Sequence, residues 1–211
     1  MLDLTLEKQY FALGYKLIGG VDEAGRGPLA GPVVAACVVI GPEFQIDNED
    51  LALVTDSKKL TAKKREKLFK IIKEKTLAVE IGVVSPQTID KINILQASFL
   101  AMRRAIRGVN ISPDYILLDG AFKIPKLNKP QTAIIKGDGT VFCIAAASII
   151  AKVSRDYLMT ELDKKYPEYE FAKHKGYGTK LHIEKIVAHG PCPIHRFSFA
   201  PIKDKPKKNR E

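Results

Sequence analysis

Apolar and polar positions change period several times along this chain, and each change marks an element. In residues 1–15, Leu6, Tyr10, Phe11 and Leu13 predict a short amphipathic helix. Lys16–Val21 and Pro32–Ile40 are apolar runs separated by Gly and Pro, the pattern of two strands, and Leu77–Val84 predicts a third. Between the second and third, Leu68, Ile71 and Ile72 make an apolar stripe on a basic segment that Asp56-Ser57 can cap as a helix. Thr88–Val109 carries Ile89, Ile92, Leu95, Phe99, Met102 and Ile106 at helical spacing. Tyr115–Leu118 and Thr132–Lys136 are short runs that predict strands, stopping near Asp119-Gly120 and Gly137-Asp138-Gly139. A long helix from Val141 to about Lys165 ends before Pro167. Beyond it, His174–Gly178 reads as loop, Lys180–His189 as a short helix, and Gly190–Arg196 as a Pro-rich connection.

Three strands, a helix, two further strands and then helices predict an α/β protein: a mixed sheet with helices on its faces. The strand-helix-strand run Leu77–Leu118 implies local parallel pairing. The expected organisation is a catalytic core over residues 1–166, a small C-terminal helical appendage over 167–200, and a basic, disordered tail over 201–211.

In open sheets with parallel strands, sites form at strand carboxyl ends. Asp22, Glu23, Asp119 and nearly Asp138 fall at such ends. Each acid alone reads as an ordinary turn or strand-end residue, since Asp-Gly is a frequent turn pair. Together they are the oxygen ligands that one or two Mg²⁺ or Mn²⁺ ions prefer, in a form suited to phosphodiester hydrolysis. One geometric condition applies. Side chains of adjacent strand residues point to opposite faces, so Asp22 and Glu23 share a site only if the strand has ended or bulged there. Gly25 and Gly27, which flank Arg26, are candidates for letting it do so.

Composition narrows the partner. The 211 residues carry a formal charge of +10, which favours a polyanion. Nine Lys and Arg stand against Glu66 and Glu74 between Ser57 and Lys75, and Lys58, Lys59 and Ser148 are candidate phosphate contacts. Cys37, Cys143 and Cys192 cannot all pair, and read as reduced thiols of a cytoplasmic protein. No apolar run has membrane-spanning length, so no membrane partner is expected. Cys192 and His195 lack a second pair to complete a zinc site. Asp156, four residues after Lys152, rivals Asp138 as the fourth acid, but a local Lys152–Asp156 pair is its simpler role.

Four long motifs carry a resemblance. They are the run from Gly20 to Val33 (GVDEAGRGPLAGPV), Asp56-Ser57-Lys58-Lys59-Leu60, the run from Ala146 to Val153 (AASIIAKV) and His174-Lys175-Gly176-Tyr177-Gly178-Thr179. In order and spacing, from about residue 8 to Pro201, the chain closely resembles bacterial ribonuclease HII. The resemblance implies a ribonuclease-H-like mixed five-stranded sheet flanked by helices. It implies cleavage of the RNA strand of RNA/DNA hybrids and nicking of duplex DNA on the 5′ side of embedded ribonucleotides. Asp22, Glu23, Asp119 and Asp138 match the metal-binding acids, for two ions in the reacting complex. Gly25-Arg26-Gly27 and Tyr177 resemble the reader of the ribonucleotide–deoxynucleotide junction. A monomer is expected. Two other readings use the same parts: a nuclease of this fold that ignores the 2′-hydroxyl, and a hybrid-binding protein without catalysis. Four retained acids weigh against the second, because they would oppose a polyanion.

Overall fold

One strand is buried along its whole length, and the rest of the molecule is arranged around it. In the computed structural model, which describes residues 2–47 and 49–203, this is β2 (Val33–Ile40). All eight of its residues are fully buried, so both faces of the sheet are covered at this strand. β1 (Ile18–Ala24) and β3 (Ala78–Val84) flank it antiparallel, and β4 (Tyr115–Asp119) and β5 (Gln131–Ile134) add on parallel beyond β1. The sheet order is β3-β2-β1-β4-β5, a mixed five-stranded sheet.

Alternation along β2 sends Ala36, Val38 and Ile40 to one face and Val33, Ala35, Cys37 and Val39 to the other. The first set packs under α1 (Thr5–Ala12), α2 (Ala62–Lys75) and the long α4 (Phe142–Lys165). The second packs under α3 (Pro86–Gly108). Each fully buried aliphatic side chain contributes about 1.5–3 kcal/mol.

The Leu77–Leu118 crossover differs from its sequence reading in one respect. β3 and β4 run in the same direction but are separated by β2 and β1, and the parallel partner of β4 is β1. α3 also begins earlier than expected, at Pro86, because Ser85 accepts the Thr88 N–H as an N-cap. It breaks at Asn93, whose φ of 63° is left-handed, and the Asn93 side chain caps the second half by accepting the Gln96 N–H.

Two features seat α4 on β1. A Cβ on Gly20 would lie 2.2 Å from the Cys143 carbonyl carbon and oxygen, so only glycine permits this approach. At the same end, the buried Glu7 of α1 accepts the Cys143 N–H at 2.9 Å, satisfying a first-turn donor of α4 that has no helical partner.

After α4 a 3₁₀ turn (Pro167–Tyr169), the one-turn α5 (Phe171–His174) and α6 (Lys180–His189) form the appendage. It packs onto α4 and the residues after β1 through Ala30, Met159, Tyr169, Phe171 and Cys192. Ile202 is buried with Leu29 and Ile186, so the packed chain extends past residue 200, into the segment read as tail. The remainder of that basic tail, 204–211, lies outside the described residues. Among the described residues no helix is long and apolar enough to cross a membrane.

Gly20→Ala should lower stability by about 2–3 kcal/mol, because backbone must move to admit the methyl. Gly139, whose added Cβ meets nothing within 4 Å, should accept alanine with a change within about 0.5 kcal/mol. Urea midpoints of the two variants check this. Equal midpoints would refute the close-approach account of how α4 is seated.

Candidate active site

Parallel pairing of β1 with β4 runs from Ile18↔Tyr115 to Val21↔Leu118, so the next residue on each strand is an acid: Asp22 on β1 and Asp119 on β4. Glu23 follows Asp22. Asp138 arrives from the turn Gly137–Gly139 that links β5 to α4. That turn is tied to the sheet, since the Gly137 N–H donates to Asp119 Oδ1 at 2.7 Å.

The condition set for Asp22 and Glu23 is not met as expected. β1 neither ends nor bulges at the two acids; its ladder to β2 continues through Ala24↔Val34. What has ended is the pairing on the other side, where the last β1–β4 pair is Val21↔Leu118. Past that pair no strand separates Glu23 from Asp119. Gly25 instead has a packing role: its φ is 95°, and a Cβ there would meet the Arg155 side chain at 2.1 Å.

The acids feel one another. Burial raises Asp22 well above the usual carboxylate range, and the charges of Glu23 and Asp119 push it further. Burial also raises Glu23, with Arg26 opposing and Asp119 adding to the rise. Asp138 is raised by burial, then by Asp119 and Asp56, against the pull of Lys58. Its Oδ2 lies 3.6 Å from Lys58 Nζ, and Glu23 Oε1 lies 3.1 Å from Arg26 Nη1. Among the described residues no three His, Cys, Asp or Glu side chains converge tightly enough to enclose an ion. The acids are neighbours whose oxygens are engaged elsewhere: Glu23 and Asp138 with cations, Asp119 with Gly137, and Asp22 with the Glu23 N–H at 2.7 Å. An all-carboxylate set crowded in a buried place fits hard divalent cations, whose charge would reverse the pressure toward protonation.

Arg26 is half exposed and Tyr177 is 42% exposed, with the ring 5.8 Å from both Lys152 Nζ and Arg155 Cζ. A Cβ on Gly27 meets nothing within 4 Å, so that face is open. Lys58 stands at the rim of the acids, and Asp138, Asp56 and Asp22 raise its pKa against the effect of burial. Lys59 is exposed on the same 3₁₀ turn (Ser57–Lys59). Ser148 is buried; its hydroxyl is 2.8 Å from that of Ser57 and offsets part of the shift on Asp22. Asp156 pairs with Lys152 at 2.7 Å, the local pair that the spacing predicts.

Sequence reasoning missed two fully buried arginines, Arg155 and Arg196, and three buried histidines. The signal for Arg155 was present: it interrupts the buried stripe Ser148, Ala151, Arg155, Met159 of α4. The histidines support Tyr177 from behind. The Cys192 N–H donates to His195 Nδ1 at 2.9 Å, which places the His195 proton on Nε2, facing His182 Nε2 at 3.1 Å. His182 then donates from Nδ1 to the Tyr177 carbonyl at 2.9 Å. Both rings are therefore neutral. Cys192 and His195 serve this turn, with the thiol 3.2 Å from His195 Nδ1.

A mixed five-stranded sheet with acids at the ends of its central parallel pair defines a ribonuclease-H-like nuclease fold. The family model for ribonuclease HII matches residues 19–202, and the chain belongs to that family. It is 54% identical over 199 residues to ribonuclease HII of Desulfitobacterium hafniense, covering 94% of this chain and 74% of that one. It is 52% identical over 205 residues to the enzyme of Caldicellulosiruptor saccharolyticus, covering 94% and 97%. Among solved structures it matches ribonuclease H2 from Pyrococcus horikoshii with a TM-score of 0.72 at 31% identity, over 89% of this chain and 96% of that one. The chain is thus a ribonuclease H of type HII, a hydrolase of phosphodiester bonds.

The histidine relay predicts how the appendage responds to acid. Burial lowers both His182 and His195 to about 4, whereas an unfolded histidine titrates near 6.5. The stability they confer is complete above pH 6.5, falls as the unfolded chain takes up protons, and levels off below about pH 4. The loss is about 3 kcal/mol for one ring. Urea midpoints between pH 7 and pH 4 should fall steeply in the wild type and less in His195→Gln. Parallel pH profiles would sink this assignment.

Proposed function

We propose that the chain cleaves the RNA strand of RNA/DNA hybrids and nicks duplex DNA on the 5′ side of an embedded ribonucleotide. The products carry a 5′-phosphate and a 3′-hydroxyl. The observation that carries this reading is the adjacency of two things at the carboxyl end of β1. The charge of Asp119 raises the pKa of Asp22, Glu23 and Asp138, and a glycine-flanked turn with an open outer face follows two residues after Glu23.

Asp22, Glu23, Asp119 and Asp138 would hold two Mg²⁺ or Mn²⁺ ions. When bound, such ions activate a water and stabilise the departing oxygen of the phosphodiester. The chain's own residues do the rest. Glu23 and Asp138, paired with Arg26 and Lys58 in this structure, would hold metal in their place, and both cations would then be available to backbone phosphates. Lys59 adds to this basic rim, and Ser148 holds Asp22 rather than reaching outward. At Gly25, Arg26 and Gly27 the backbone can approach a ribose 2′-hydroxyl, which both donates and accepts hydrogen bonds. The half-exposed Tyr177 ring offers a stacking face for the sugar or base beyond the ribonucleotide. Buried, unpaired Cys37, Cys143 and Cys192 suit a cytoplasmic, reducing compartment.

The test is cleavage of a duplex containing one ribonucleotide, compared with its all-DNA twin, with metal and with EDTA. Wild type should nick only the first, and only with metal. Asp119→Asn and Asp138→Asn should each lose on the order of 100-fold or more, while Asp156→Asn stays within a few-fold. Full activity in Asp138→Asn together with loss in Asp156→Asn would overturn the assignment of the fourth acid. Binding should also weaken steeply as salt rises, through counterion release from the duplex, and salt-independent binding would contradict the basic-rim reading.

A further inference from the structure

Arg155 and Arg196 are the two largest fully buried side chains, and both spend their donors on backbone carbonyls. Arg196 donates from Nη2 to Gly25 O at 2.5 Å and from Nη1 to Arg26 O at 2.8 Å. Its Nε and Nη2 also reach Gly31 O, and Nη2 reaches Pro32 O at 3.3 Å. Arg155 donates to Pro32 O at 2.9 Å, to Ala30 O at 3.1 Å and, across to the appendage, to Lys175 O at 3.0 Å. The two guanidiniums therefore grip one side of the chain from Gly25 to Pro32. Arg155 joins that grip to the segment that carries Tyr177.

Two like charges side by side in the interior are costly. Burial, and then the charge of Arg155, lower Arg196 to about 9. Apolar residues of similar size often replace buried charges without loss of stability, so packing alone does not account for the pair. Orientation does. In a trans peptide the carbonyl of one residue and the N–H of the next point in opposite directions. With the Gly25 and Arg26 carbonyls turned inward to Arg196, the Arg26 and Gly27 N–H groups are turned away from it. No hydrogen bond among the described residues uses either N–H. Successive N–H groups of this kind form a concavity that favours an electron-rich oxygen, and the missing Gly27 side chain leaves it open. On the other arm, Gly176 lies against Ala30, where an added Cβ would stand 2.4 Å from the carbonyl oxygen, and the Leu29 N–H donates to Gly176 O at 2.8 Å. The two reading segments are thus pressed together over Arg155.

We propose that Arg155 and Arg196 are positioning residues for substrate choice, fixing the outward amides of Arg26 and Gly27 and the ring of Tyr177 as one surface that selects a ribonucleotide. This rests on the function proposed above. It adds that selection depends on two residues that touch neither metal nor substrate. Lysine at either place keeps the charge but loses the planar fork that binds several carbonyls at once.

The experiment compares wild type, Arg196→Lys and Arg155→Lys on a duplex with one ribonucleotide, its all-DNA twin and a long RNA/DNA hybrid. The lysine variants should lose about 10- to 100-fold in kcat/KM on the single ribonucleotide, the order expected when one or two oriented hydrogen bonds are lost. They should lose under about 3-fold on the hybrid, where ribose is offered in every register, with an unchanged metal requirement. An equal loss on both substrates, or no loss on either, overturns the proposal. Hydrogen exchange on the wild type in EDTA tests the amide surface itself, independently of whether the variants fold. The Arg26 and Gly27 amides should exchange fast in the free protein and be slowed at least 10-fold by the ribonucleotide duplex but not by its all-DNA twin. Amides already protected in the free protein, or equally protected by both duplexes, overturn it as well. Failure of the wild type to prefer the ribonucleotide duplex would instead remove the underlying function.

Discussion

Repulsion between Asp119 and three neighbouring carboxylates is the constraint around which this molecule is built. Left to itself, such a group would spread into water or take up protons. It cannot spread, because Asp22 and Asp119 are carried on adjacent parallel strands whose register makes them neighbours. Asp138 is held nearby by the bond from Gly137 to Asp119. The strands in turn stay in place because β2 is buried on both sides and α4 is pressed against β1 at Gly20. Stability stored in the core is what keeps the acids in an arrangement they would otherwise leave, the trade between stability and activity common at active sites.

The selection proposed above would use a different physical device. Where the acids are held by a ladder of strands, the chain from Gly25 to Pro32 has an isolated bridge, Ala30 with His195, and a bond from the Leu29 N–H to Gly176 O. Side chains reaching from α4 and from the appendage add partners for its carbonyls. An irregular segment is thereby made rigid while one edge of its backbone stays open. Neutral histidines extend the same logic to Tyr177, giving its carbonyl a partner without placing a further charge beside two arginines.

Much of this was legible in the chain. Apolar runs stopped by Gly, Pro or Asp located all five strands, and period-three-to-four patterns located the main helices, because burial leaves that record in sequence. The acids were legible because each stands where an apolar run stops. Harder features depended on contacts between distant parts. Nothing near Leu77–Leu118 tells that β2 and β1 intervene between the crossover's two strands. The α3 break at Asn93 is a local left-handed residue inside a strongly helical pattern. Gly25 and Gly27 were candidates for breaking β1, yet the strand runs on beside β2 to Ala24, while its pairing with β4 ends at Val21. Ser148, expected at a phosphate, is buried by Ser57 some ninety residues earlier in the chain. Arg155 and Arg196 look like surface cations until the carbonyls they serve are brought to them.

The span between Arg196 and Gly25 has a consequence for the life of the chain. Those two residues are 171 positions apart, and the acids Asp22 and Asp119 are separated by almost a hundred. Loops of that size close only once most of the polypeptide exists, and domains fold as units during synthesis. A ribosome-bound fragment ending before α4 has Asp22, Asp119 and Asp138 but lacks the helix that is pressed against β1 at Gly20. A fragment ending before Arg196 has the acids but not the side chain that binds the Gly25 and Arg26 carbonyls. On the roles proposed above, the acids that would hydrolyse are therefore synthesised ahead of a residue on which the choice of substrate would depend.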